Sequence, residues 1–175
     1  MFTYSTEGGP LRLRRPQTLT IFFSSFFLIL TQFPFPDLAT LDCSSGGVAP
    51  ILAPFATFNH VAQLWVYTQK HVDAGLSVWV GNKVIQAAAM NFVLCAVIGA
   101  AFARHAVRRP PWLWAVGLGI LLSGSAELAQ LTGFFGLYPC AWRTFEVDDL
   151  IFNISGLIAG FLLMKKFKTG QTQHY

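Results

Sequence analysis

Four polar side chains interrupt long apolar runs in this sequence: Asn91, Glu127, Gln130 and Asn153. Arg143, Asp148 and Asp149 stand just outside or at the start of such a run. An ionisable or amide group inside an apolar helix is costly unless it is paired or faces water, so each is read first as a functional candidate. At a helical rise of about 1.5 Å per residue, Glu127 lies about 22 Å above Trp112. Asn91 lies about 10 Å below Val84, and Asn153 about 6 Å below Asp149. Three helices therefore deliver polar groups to one layer. Two kinds of chemistry fit. A pocket of carboxylates, amides and one guanidinium suits a polar headgroup, because arginine grips phosphate or carboxylate with two parallel hydrogen bonds. Alternatively Glu127 serves as a general acid or base, with Asp149 as its partner, in an intramembrane hydrolase or transferase acting on a lipid-linked substrate. A third reading needs no ligand: Arg143 pairs with Glu127 or Asp149, and the cluster locks the helices together, as in a structural partner of another envelope protein.

The elements that must carry these groups follow from composition. The chain has 175 residues, 54% apolar and only 11% charged. A soluble domain carries roughly a quarter charged residues, so this chain cannot cover its apolar area with a water-facing surface. Apolar runs at Thr18 to Phe33, Val84 to Ala103, Trp112 to Leu131 and Leu150 to Met164 predict four transmembrane helices, each needing about 20 residues. The expected fold class is all-α, an integral membrane helical bundle forming one domain over residues 1–175, with residues 1–40 as an N-terminal arm and uncleaved first span. Between the first two runs, Phe55, Phe58, Ala62 and Trp65 recur at helical spacing. That pattern predicts an interfacial helix on the outer side, with a re-entrant hairpin broken at Pro50 and Pro54 as the alternative.

Lysine and arginine set the orientation. Nine of them, Arg12, Arg14, Arg15, Arg104, Arg108, Arg109, Lys165, Lys166 and Lys168, fall on the side of the two termini, against Lys70, Lys83 and Arg143 on the other. Cytoplasmic loops retain such residues, which predicts cytoplasmic termini and a polar layer in the outer leaflet. The net charge of +4 is then a topology signal, and no nucleic acid partner is expected. The expected partner is a membrane lipid or lipid-linked envelope headgroup. No cofactor or metal is expected, since the histidines are scattered and the carboxylates lack a diagnostic metal spacing.

Packing signals agree with a bundle. Asp149, Asn153, Gly156 and Gly160 form one helical stripe, and Asn91, Cys95 and Gly99 a second; the Gly156-x-x-x-Gly160 pair allows another backbone to come close. Cys95 reads as a small apolar residue. Cys43 and Cys140 both fall on the expected outer side, where they are free to form a disulfide.

The ordered set Glu127-x-x-Gln130, Arg143-Thr-Phe-Glu146-Val-Asp148-Asp149 and Asn153-x-x-Gly156-x-x-x-Gly160 resembles the VanZ-like family of bacterial membrane proteins. Pro54-Phe55 and the stretch from Asn91 to Gly99 extend the resemblance, which covers about Ala53 to Leu163 and leaves the N-terminal forty residues aside. Cys95 and Val97 depart from the Phe and Pro that the family favours. The resemblance implies a multi-pass protein of the bacterial cell membrane, with a link to teicoplanin-type glycopeptide resistance or envelope homeostasis. Its motif positions are Glu127, Gln130, Arg143, Asp148, Asp149 and Asn153.

Overall fold

A computed structural model describes residues 15–71, 75–106 and 110–171, with side chains as far as residue 167. Arg12, Arg14, Arg108, Arg109 and the Lys168 side chain, all used in the charge count, lie outside the described residues. The described chain is all-α, with helices α1 (Arg15–Gln32), α2 (Ala56–Lys70), α3 (Gly75–Val80), α4 (Lys83–Ala103), α5 (Pro111–Leu131), α6 (Gly133–Gly136) and α7 (Val147–Gln171).

Among the described residues, three helices are long and apolar enough to cross a membrane: α4, α5 and the first 21 residues of α7. Punctuation in the sequence sets their ends. The Asn82 carboxamide accepts from the Val84 and Ile85 amides and caps α4, and Pro111 opens α5 at the first helical position, where a missing N–H costs nothing. The sequence led us to expect four spans. The remaining candidate, α1, has 18 residues and spends Arg15, Gln17 and Gln32 on polar ends, so its apolar stretch is shorter.

The bundle is organised around the α4 and α7 pair, its most extensive contact. A Cβ added at Gly160 would run into the Ala96 carbonyl, one at Gly156 into that of Phe92, and one at Gly99 into that of Leu157. The two predicted small-residue stripes therefore face each other, with backbone against backbone. Helix α5 packs on α7, and α1 lies against α4 and α5. Phe27 of α1, Ile98 of α4, Leu122 of α5 and Phe161 of α7 fill the shared core.

At one end of the bundle, called here the basic end, Lys165 Nζ donates to the Ala106 carbonyl at 3.0 Å, tying α7 to the chain beyond α4. At the opposite, polar end, segments 47–51 and 141–147 run side by side. The Val48 amide donates to the Ala141 carbonyl at 3.0 Å, that of Ile51 to Phe145 at 2.8 Å, and that of Val147 back to Ile51 at 3.2 Å. Gly47 adopts φ +90, and a Cβ there would strike the Ala141 backbone, so this lacing requires glycine. Cys43 and Cys140 are disulfide-bonded beside it, with Cα atoms 5.7 Å apart. The stretch after Pro54 forms the continuous helix α2, with Phe58, Trp65, Val66 and Tyr67 exposed.

The disulfide carries a direct expectation. Peptide mapping under non-reducing conditions, with thiols blocked at lysis, should yield a Cys43–Cys140 cross-linked peptide. Closing a loop of this length is worth about 4 to 5 kcal/mol in the chain-entropy account, so the double serine variant should melt well below the wild type. Free thiols at both positions would contradict the bond.

Candidate functional site

The polar residues divide into three groups by what each one touches. Asn153, in the second turn of α7, is 1% exposed. Its Nδ2 donates to Ser123 Oγ of α5 at 3.0 Å, and its Oδ1 accepts from the Cys95 thiol of α4 at 3.5 Å. Both ends of the amide are used within the protein, and three helices meet at one side chain. Cys95 thus supplies a donor where a purely apolar residue would leave the Asn153 oxygen unpaired.

Asp148 holds a neighbouring helix. One carboxylate oxygen accepts from the Phe55 amide at 2.6 Å and the other from the Thr57 amide at 2.7 Å. Those are donors at the start of α2, which the helix cannot satisfy itself. Phe55, at φ 66, offers no side-chain cap. A buried carboxylate from the first turn of α7 therefore caps α2 from across the fold, where the helix N-terminus favours negative charge.

Of the remaining residues, all but Glu127 line two adjoining cavities at the polar end. The larger, about 400 Å³, is lined by Thr57, Lys83, Ala87, Gln130, Arg143, Thr144, Glu146 and Asp149, among others. The second, about 240 Å³, is bordered by Leu30, Phe33, Met90, Asn91 and Leu94, and shares Ala87, Gln130, Arg143 and Asp149 with the first. Asn91 of α4 and Asp149 of α7 both border this second cavity, with the Asn91 amide favouring the charged form of the carboxylate. Arg143 is held between the cavities by a hydrogen bond from Nη1 to the Phe33 carbonyl at the end of α1. Its positive charge acts on Glu127, Glu146 and Asp149 together.

Glu127 lines neither cavity. It is 2% exposed, and its Oε2 accepts from the Glu146 amide at 3.0 Å. That bond fixes the 143–146 segment over the bundle and so positions Arg143 and Glu146. Burial pushes the Glu146 carboxyl above its ordinary range, and the charges of Asp149 and Asp148 add to this, with Arg143 opposing.

Gln130 is 3% exposed and lines both cavities. Its Nε2 donates to the Thr31 carbonyl of α1 at 2.9 Å, while its Oε1 has no partner. Among the described residues no group of three His, Cys, Asp or Glu side chains is placed to hold a metal ion.

The structure thus brings Asn91, Gln130, Arg143 and Asp149 to one wall, with Glu127 supporting it, and engages Asp148 and Asn153 elsewhere. Sequence reasoning passed over Lys83, Thr57 and Thr144. Lys83 entered only as a charge in the orientation count, although its place directly after the Asn82 cap put it at the mouth of the α4 layer. It also left out the first helix. Gln32 of α1 is 2% exposed and donates to the Ala126 carbonyl at 3.1 Å, so α1 is bound to α5 by polar contacts at the site.

A helical bundle in which three of the described helices are long and apolar enough to span a membrane, with glycine-mediated backbone contact and a charged cavity near one end, fits a polytopic membrane protein. Within that class, the family model VanZ/LLP1 matches residues 20–168, and the chain belongs to this family. The match takes in α1 from Thr20 onward, consistent with the Gln32, Thr31 and Phe33 contacts that tie it to the site. No curated protein and no solved structure matches the chain.

Proposed function

We propose that the protein binds an amphiphile, a lipid or lipid-linked envelope molecule, at the polar end of the bundle. The observation that carries this reading is the pair of adjoining cavities sharing Ala87, Gln130, Arg143 and Asp149. The larger is lined with charges and hydroxyls and suits a headgroup. The smaller adds Leu30, Phe33, Met90 and Leu94 beside Asn91 and the shared polar groups, and these four side chains suit the first part of an apolar chain entering between α1 and α4. Charged groups set beside large apolar side chains are what a lipid at the membrane interface requires.

In this reading α1 completes the bundle as a fourth span, with Ile21, Phe22, Phe26 and Ile29 exposed along it to lipid. Helix α2 lies in the interface with its exposed aromatics against the headgroups. Both termini are cytoplasmic, which puts the site in the outer leaflet and the Cys43–Cys140 bond in an oxidising compartment. Glu127 acts by positioning the 143–146 segment, and catalysis by Glu127 and Asp149 receives no support from a carboxylate already spent on a backbone amide.

The test is to fill the shared wall. Ala87 is exposed, so Ala87→Trp adds its ring to cavity space without displacing core packing. The variant should accumulate and melt like the wild type, and should lose the lipid that co-purifies with it. Unchanged lipid content in a folded Ala87→Trp protein would place any bound lipid elsewhere.

A further inference from the structure

We infer that the headgroup taken by this site is zwitterionic, a phosphodiester joined to a primary ammonium; the inference rests on the amphiphile reading above. The lining of the larger cavity carries two cations, Lys83 and Arg143, and two acids, Glu146 and Asp149. An anionic headgroup alone would satisfy the cations and be repelled by the acids. A simple cation would meet the reverse. A molecule with both charges matches all four, the phosphate at Arg143 and Lys83 and the ammonium toward the carboxylates.

The second observation is independent of charge. Gln130, almost wholly buried, lines both cavities and has a carbonyl oxygen with no donor. A buried acceptor left empty costs free energy, and an occupant that brings an N–H recovers it. A primary ammonium has three such donors. A trimethylammonium has none, so Gln130 distinguishes two headgroups of equal charge.

The experiment titrates delipidated protein in a non-ionic maltoside detergent with four probes, read by native mass spectrometry. These are short-chain phosphatidylethanolamine, phosphatidylcholine and phosphatidylglycerol, and chain-free glycerophosphoethanolamine. Phosphatidylethanolamine should bind about tenfold more tightly than phosphatidylcholine, the difference expected for one hydrogen bond to a charged donor. Phosphatidylglycerol, which lacks the ammonium, should also bind more weakly. Gln130→Leu should erase the preference over phosphatidylcholine. Glu146→Gln, in a loop whose fold does not depend on its side chain, should narrow the gap to phosphatidylglycerol.

Equal binding of the three lipids would overturn the zwitterion inference and leave the amphiphile reading standing. Binding of none would end both. Glycerophosphoethanolamine binding as tightly as the lipid would keep the headgroup chemistry and overturn the amphiphile reading, because Leu30, Phe33, Met90 and Leu94 would then contribute nothing.

Discussion

Gly160→Leu should abolish accumulation of folded protein, and Gly160→Ala should lower its thermal stability severely. At Gly160 the first atom of any side chain would collide with the Ala96 carbonyl, a backbone atom that cannot rotate away. Inserting one methyl group into a packed interior costs about 1 to 3 kcal/mol when side chains can give. Here only a separation of α4 from α7 makes room. That separation would also pull Cys95 from Asn153 and weaken the junction with Ser123, so the loss spreads to α5. Gly117→Ala is the internal control. A Cβ there meets nothing within 4 Å, and alanine is the better helix former by about 1 kcal/mol, so this variant should be neutral or slightly stabilised. Melting followed by size-exclusion fluorescence in one detergent checks both. Equal melting of Gly160→Ala and Gly117→Ala would show that the α4 and α7 backbones are not in contact.

The second large effect is expected at Asp148. Both of its oxygens are committed to amides at the start of α2, and the N-cap position of that helix provides no side-chain acceptor. Asp148→Asn keeps the size but replaces one acceptor with a donor, so at least one amide is left facing another donor. An unsatisfied buried donor costs about 1 to 3 kcal/mol, and loss of an N-cap alone about 1 kcal/mol. The expected result is local. Amide exchange in the first turn of α2 should quicken markedly in Asp148→Asn, while α4, α5 and the middle of α7 keep their protection. Glu127→Gln should leave α2 unchanged, since its carboxyl serves the Glu146 amide. Undisturbed exchange at Thr57 in Asp148→Asn would mean that α2 is held by its apolar contacts alone.

These two cases mark where sequence reasoning reached and where it stopped. The α4 and α5 limits were legible to within a residue, because charged residues and prolines bracket apolar runs of span length. The glycine stripes were legible because a four-residue repeat of small side chains has one common structural meaning. The rotation and vertical offset of neighbouring helices were not. Depth along each helix put Asn91, Glu127 and Asn153 in one layer, yet Asn91 borders a cavity with Asp149 while Asn153 bonds to Ser123 and Cys95. Axial distance says nothing about the direction in which a side chain leaves its helix. The cap made by Asp148 was invisible for a different reason: its partners are backbone amides more than ninety positions away, and a backbone amide has no letter in the sequence. The members of the polar cluster differ in what they touch, and the headgroup proposal rests only on those that border a cavity. Asp148 and Asn153 fasten helices, whereas Asn91, Gln130, Arg143 and Asp149 line space.

The central claim is that this space holds an amphiphile. Native mass spectrometry of the protein extracted with its own lipids tests it most directly, with wild type, Glu127→Gln and Arg143→Lys compared at equal folded yield. The account predicts a lipid adduct of fixed stoichiometry on the wild type, lost in Arg143→Lys because lysine keeps the charge but not the planar fork, and weakened in Glu127→Gln through misplacement of the 143–146 segment. A wild type that carries no lipid adduct, or an adduct retained equally by both folded variants, would contradict it.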